Sequence, residues 1–472
     1  MADAPRPNIV LITTDQQRYD TLGCLGAEWM KTPHLDALAQ RGVVFRRAYA
    51  QNPVCIPSRA CIQTGRYTHQ HGVQYMETII DDTPGLPAWE ITFMERLQAA
   101  GYRTAAYGKI HMMPEKGFHE LQVNGGKGGR WTKSAGLPIG LGPLGRDYAA
   151  WLEERHPGGY EKIYEQRRRP EYKAHKSAIV NVLPLEDYVD YWTPQNTIDF
   201  VTRDHDRPFF VWCGFCGPHG PVDPPKPYDE VYPMDEVEFP PNYHLNRDGS
   251  PRETTAEEDE VARRFIAYYW GLVTLIDDQV GAIVKALEQK GILDNTLVIF
   301  TSDHGEMMFD FGRLGKGNFT EPVTRMPLIL LPPGGKPAVS DVDGLVETYD
   351  IAPTVLDYAN AEIPSNMSAT SLRPVIDGEG STKEAVFCEY MRNDRSHTGV
   401  CVRTERYKYA YWSAGMPEEF YDLWEDPHER RNAIDDPAYR AEIERHRVLV
   451  IDRFMGSMQV RTDIPEPRPK AT

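Results

Sequence analysis

Residues 8–14 (NIVLITT) form a nearly continuous, β-branched apolar run, the pattern of a strand buried on both faces of a parallel sheet, and the run stops at Asp15. Residues 34–41 (HLDALAQR) read as a short helix closed by Gly42, and residues 43–49 as a further strand. Residues 91–100 (ITFMERLQAA) carry apolar side chains at helical spacing, with Gly101 as the stop, and feed a strand over 104–107 followed by Gly108-Lys109-Ile110-His111. After a less regular middle, residues 197–201 lead to a strand over 208–215 (PFFVWCGF) that runs into the loop GPHGP. The longest helical pattern spans 257–290, where Val261, Phe265, Tyr268, Leu272, Leu275, Ile276, Val280 and Ile283 keep one apolar side until Gly291. Residues 297–301 (LVIFT) then form another buried strand.

This alternation predicts an α/β fold, a doubly wound and mostly parallel sheet flanked by helices. Residues 125–172, rich in Gly, Lys and Arg, read as a surface insertion, with the basic run 167–169 a solvated patch or a contact with another subunit. Beyond Pro364 the texture changes to short strand-like pieces at 386–390, 399–403 and 407–412, followed by a helix over 438–454. The chain therefore divides into an α/β catalytic domain, 1–364, and a smaller C-terminal α+β subdomain with an antiparallel sheet, 365–472.

Composition narrows the function classes. The 472 residues are 41% hydrophobic and 26% charged, which excludes disorder, collagen and coiled coil. With 52 basic against 69 acidic side chains the net charge is −17, so nucleic acid and anionic membrane surfaces are not expected partners. A small anionic substrate needs a locally basic pocket. The opening MADAPRPNIV lacks a signal-peptide pattern and the apolar runs are shorter than a membrane span, so the expected address is cytoplasmic. Seven cysteines, an odd number spread along the chain, speak against a disulfide framework.

Chemistry gathers where strands end. Four predicted strands deliver Asp15, then Lys109 with His111, then His219, then Asp303 with His304. In an open parallel sheet those ends share one edge, where ligands bind. Each residue alone has a plain reading: a turn cap, a surface lysine, a loop former. Together, Asp15, Asp303 and His304 supply two carboxylates and an imidazole suited to a divalent ion such as calcium, magnesium or manganese. Lys109 and Lys316 add fixed positive charge for an anionic tetrahedral group. The Gly-Lys at 316 lacks the P-loop frame and is a point charge on a loop. Cys213 and Cys216 mimic a C-x-x-C redox motif but lie in a strand, so two buried structural cysteines are expected. His69, His71 and Met76, downstream, are expected to pack.

Residues 52–66, NPVCIPSRACIQTGR, contain C-x-P-S-R followed by Thr-Gly-Arg, which resembles the signature of the sulfatase family within the alkaline-phosphatase-like superfamily. NIVLITTD, YGKIH, GPHGP, TSDHGE and LGKGNFTEPVTRMPLIL are similar to further elements of that family, as are RTERYKYAYW and FYDLWEDPHERRN toward the C-terminus. The resemblance implies that Cys55 is oxidised by a formylglycine-generating maturation enzyme and serves as nucleophile. It also implies that Asp15, Asp303 and His304 bind one divalent metal with it, calcium first and manganese or magnesium as alternatives. Arg59, Lys109, His111, His219 and Lys316 then surround the nucleophile and a small sulfate ester; Lys109, His219 and Lys316 are the substrate-binding groups. The hydrated aldehyde offers one hydroxyl to attack sulfur, and the second lets a base regenerate the aldehyde and expel sulfate. His219 is assigned to protonating the leaving oxygen and His111 to the base step, two roles open to exchange.

Two positions depart from the common pattern. Asp15-Gln16 stands where many sulfatases have two adjacent Asp, and Asp303-His304 where they have Asp-Asn, so one anionic ligand is lost. Both pairs resemble phosphonate monoester hydrolases and choline-sulfatase-like branches. The alternative reading is thus a phosphonate monoester or phosphodiester hydrolase on the same site; Lys109 together with His111 favours an arylsulfatase-like enzyme that releases inorganic sulfate. Oligomeric state is not encoded in any motif, and a homo-oligomer is compatible with the sequence.

Overall fold

The computed structural model describes residues 6–74, 85–112, 114–124, 127 and 146–458. Its strands are β1 (Asn8–Asp15), β2 (Val43–Tyr49), β3 (Arg103–Gly108), β4 (Glu120–Val123), β5 (Phe209–Pro218), β6 (Thr296–Ser302), β7 (Arg325–Met326), β8 (Leu328–Leu331) and β9 (Asp341–Glu347). They build one nine-stranded sheet in the order β4-β3-β5-β1-β6-β8-β2-β7, with β9 paired to β2. The pairs from β4 through β6 are all parallel; β8 runs antiparallel to β6 and β2, so the expected mostly parallel sheet carries an antiparallel flank.

Burial on both faces explains the continuous apolar runs. In β1, Val10 and Ile12 join one core cluster and Ile9 and Leu11 the opposite one. In β5, Val211, Cys213 and Phe215 face the first layer and Phe210 and Trp212 the second, so the cysteine pair is core, as its strand position requires. The first layer is covered by α7 (Ala256–Gln289), started by a capping box between Thr255 and Glu258. The second layer is covered by α2 (Cys55–Thr64), α3 (Phe93–Ala99) and α8 (Ile351–Tyr358), through Ile56, Phe93, Leu97, Val355 and Leu356. A helix α1 (Pro33–Arg41) also packs on the first layer through Leu35 and Leu38.

The expected surface insertion is corrected in part. Residues 128–145 lie outside the described residues, as does Met76. However, α4 (Arg146–Arg155) and α5 (Gly159–Arg168) are helices whose Tyr148, Ala149, Leu152 and Ile163 enter the main core. Arg167 is not a solvated residue: its side chain is buried, 3.6 Å from Asp223. Residues 197–201 close a helix, α6 (Val189–Thr202).

A second, antiparallel sheet joins β10 (Ala385–Met391), β11 (Thr398–Thr404), β12 (Tyr407–Trp412) and β13 (Glu419–Asp422). One face, with Val400, Val402, Tyr409 and Phe420, packs on Ile443 and Val450 of α9 (Arg440–Gly456). The other, with Cys388, Cys401, Ala410 and Trp412, packs on Phe319. Among the described residues no helix is long and apolar enough to cross a membrane.

Candidate active site

The strands β3, β5, β1 and β6 are neighbours and parallel, so their C-terminal ends lie side by side. Asp15 ends β1, Lys109 and His111 follow β3, His219 follows β5, and Asp303 and His304 follow β6. Two glycines permit this crowding: at Gly108, with φ +89°, an added Cβ would lie 2.2 Å from the Gly214 carbonyl, and at Gly214 it would lie 2.3 Å from that of Lys109. Cys55 opens α2, and Arg59, one helical turn on, shares its face.

Cys55 Sγ lies 3.0 Å from His304 Nε2 and 3.5 Å from Asp15 Oδ1, and Lys316 Nζ stands 2.8 Å from the sulfur. Donor atoms of Asp15, Cys55, Asp303 and His304 all fall within 4.8 Å of one another, and all four residues are buried. Lys109 Nζ is ion-paired with Asp15 Oδ2. Arg59 is fully buried; it donates to Asp303 Oδ2 at 2.8 Å, to the Lys109 carbonyl at 2.7 Å and to that of Thr14 at 3.3 Å. It therefore braces Asp303 and two strand ends. His111, His219 and Lys316 are partly exposed and form the open side of the cluster.

Electrostatics follow from burial and local charge. Burial pushes the His304 imidazole down to about 3, so it is neutral. Its Nδ1 faces the Gly305 carbonyl at 3.0 Å, which fixes the proton there and turns the Nε2 lone pair toward Cys55. Burial opposes ionisation of Asp303, but the surrounding positive charge, including Arg59 and Lys109, holds its carboxyl below the usual range. Burial raises the Cys55 thiol, with Lys316 working against that shift. Lys109 is lowered to about 8 by burial and then by Lys316. His111 and His219 are both pushed far down by burial, next by Lys109 for His111 and by Lys316 for His219.

This donor set fits a divalent cation: two carboxylates, a neutral imidazole with its lone pair directed inward, and the position 55 side chain. Two residues outside the initial set belong to the same structure. The Gln16 backbone N–H donates to Asp303 Oδ1 at 3.1 Å, and its buried Oε1 has no hydrogen-bond partner. Glu306, also buried, accepts from Gln16 Nε2, from the Gly315 N–H beside Lys316 and from the Met308 N–H. Their only signal in the sequence is adjacency, Gln16 to Asp15 and Glu306 to Asp303-His304. His71 is fully buried, in agreement with a packing role, and the half-buried His69 pairs with Glu389 at 2.7 Å.

Comparison with known proteins gives the same picture over almost the whole chain. The Sulfatase family profile matches residues 7–361, and that of the N-sulphoglucosamine sulphohydrolase C-terminal region matches residues 310–450. The chain is 31% identical to an arylsulfatase of Clostridium perfringens, covering 97% of this chain and 96% of that protein. It is 28% identical to the multifunctional alkaline phosphatase superfamily protein PehA of Trinickia caryophylli, covering 92% and 93%. The crystal structure of a phosphonate monoester hydrolase from Agrobacterium radiobacter is similar in fold, with a TM-score of 0.78, 25% identity and 96% of each chain covered.

Proposed function

The chain belongs to the sulfatase family and is a sulfuric ester hydrolase, and from that premise we propose that it releases inorganic sulfate from an aryl or other small sulfate ester through a hydrated formylglycine made from Cys55. The observation that carries the reading is the placement of Cys55 Sγ among Asp15, His304 and Lys316 at 2.8 to 3.5 Å. An oxygen nucleophile at position 55 would stand in that same place. In this reading the chain has a catalytic part, 1–364, and a C-terminal part, 365–472, and a formylglycine-generating maturation enzyme is its partner.

Asp15, Asp303, His304 and the oxidised residue 55 would hold one divalent cation, calcium or else manganese or magnesium, whose chemistry is to lower the pKa of a bound hydroxyl. A formylglycine hydrate supplies two hydroxyls on one carbon, one to attack and one to be deprotonated for release of sulfate. The remaining work falls to this chain's residues. Lys316 and Lys109 present positive charge where the transferring group gathers negative charge, inside a site closed on one side by the sheet. Arg59 holds Asp303 and the two strand ends in register. His219 and His111 are assigned to proton transfer, the first to the leaving oxygen and the second from the hydrate, two roles open to exchange. His219 Nδ1 faces the Gly220 carbonyl at 2.6 Å, which holds the proton of the neutral ring there and leaves Nε2 as the atom that must first take up a proton, favoured by the bound anion, before giving it to the leaving oxygen.

The phosphonate monoester reading rests on the same geometry and on the Asp15-Gln16 and Asp303-His304 pairs. One experiment separates the two: a substrate panel on metal-loaded enzyme, with oxidation of Cys55 measured by peptide mass. A higher kcat/KM for aryl sulfate than for aryl phosphonate monoester, abolished in Cys55→Ala, is expected. The opposite ranking reverses the choice of substrate, and full activity with an unmodified thiol removes the nucleophile.

A further inference from the structure

Lys408 stands on β12, outside the residues around Cys55, and is 2% exposed. Its Nζ donates to the Phe319 carbonyl at 2.7 Å and to Glu429 Oε1 at 2.8 Å, and it lies 2.9 Å from Glu321 Oε1. Glu321 in turn accepts from the Tyr49 hydroxyl at 2.8 Å, and its backbone N–H donates to Glu429 Oε2 at 2.8 Å. One buried ammonium and two carboxylates thus join three parts of the molecule: the C-terminal sheet, the GKGNF loop and the end of β2 just ahead of Cys55.

Phe319 is held a second time, because its ring stacks on Trp412 of the same β12 with centroids 4.7 Å apart. On the other side of Lys316, the Gly315 N–H is held by Glu306. Lys316 therefore sits between two anchors, one in the loop that follows β6 and one in the C-terminal sheet. The next residue, Gly317, adopts φ +85° and brings no side chain to fix the loop from within.

Resting on the reading of Lys316 as the cation that meets the transferring group, we propose that Lys408 is a positioning residue, holding the Phe319 carbonyl from the C-terminal sheet so that Lys316 Nζ stays against residue 55. The purely structural alternative is that the buried ion cluster only stabilises the fold. The two differ in what happens once Lys316 is gone: a positioning effect has nothing left to act through, whereas a general structural effect persists.

The test is a double-mutant cycle on the full-length, matured, metal-loaded enzyme with an aryl sulfate. Lys408→Met is expected to lower kcat/KM by about 30-fold, within the range for a misplaced catalytic group. Lys316→Ala alone is expected to lower it by about 10² to 10³. In the Lys316→Ala background the added Lys408→Met is expected to change kcat/KM by no more than about threefold. The same large factor in both backgrounds overturns the proposal, and so does unchanged kcat/KM in Lys408→Met. Should Lys408→Met not be recovered folded, Trp412→Leu, which loosens the second anchor and leaves the ion cluster in place, is put through the same cycle and judged by the same rule. Arg406→Ala, which removes an ion pair elsewhere in that sheet, is the control: it is expected to lower Tm with kcat/KM unchanged. Wild-type turnover in Lys316→Ala contradicts the role of Lys316 itself, a result distinct from additivity.

Discussion

At the scale of single residues, the groups proposed to hold the cation are distinct from those proposed to move protons. Asp303 has one oxygen toward Arg59 and the other toward the Gln16 and His304 N–H groups, so its carboxylate is both oriented and kept ionised. Asp303→Asn keeps the size and removes the charge; metal affinity measured calorimetrically on the stripped enzyme is expected to fall at least about tenfold to 100-fold, and an unchanged affinity would place the ion elsewhere. His219→Ala is expected to slow esters of poorly leaving alcohols far more than nitrophenyl-type esters, because only the former need a proton on the departing oxygen. An equal loss across the series would transfer the acid role to His111. The ligand and cation positions were legible because each follows a strand end or sits in the C-x-P-S-R motif, except Lys316, which stood out through the family-like LGKGNF loop. The roles of Glu306 and Lys408 were not legible, although both lie in the quoted TSDHGE and RTERYKYAYW stretches: those roles depend on partners distant in sequence, Gln16 for one and Phe319 with Glu321 for the other, that no motif names.

At the scale of elements, strands were easiest to read, because burial on both faces leaves continuous β-branched runs such as residues 8–14. Helices 146–168 were harder: their exposed faces are rich in Arg, Lys and Glu, and the few core contacts, Tyr148, Leu152 and Ile163, are outnumbered. Arg167 was misread for the same reason, since a buried arginine with an aspartate partner looks like any other basic residue in sequence. The close approach of β3 and β5 makes a direct prediction. Gly108→Ala would drive a Cβ into the Gly214 carbonyl at a positive φ, so denaturant unfolding is expected to show a loss of about 2 to 4 kcal/mol, with activity falling because Lys109 and His111 follow immediately. A stability within about 0.5 kcal/mol of wild type would mean that the two strand ends are not packed as described.

At the scale of the whole molecule, two sheets are joined by buried charge. Glu389 on β10 accepts from Arg453 of α9 at 2.6 Å and from His69 at 2.7 Å, next to the end of α2. Burial opposes its ionisation, but Arg453 and His69 outweigh this and hold the carboxyl far below its usual range. The contribution to stability is therefore present above the unfolded carboxylate pKa of about 4.3 and is lost as pH falls below it toward the depressed folded value. Urea midpoints of Glu389→Gln and wild type are expected to differ clearly at neutral pH and to converge in acid; a constant gap would deny the linkage. The central claim is that residues from the ends of β1 and β6 share one ion with an oxidised position 55 at the start of α2. Anomalous diffraction from crystals of the active, manganese-loaded enzyme measures this directly. The account predicts a single peak about 2.0 to 2.6 Å from oxygens or nitrogen of Asp15, residue 55, Asp303 and His304, with an oxygen in place of Sγ. A peak away from these four, or an intact thiol in turning-over enzyme, would contradict it.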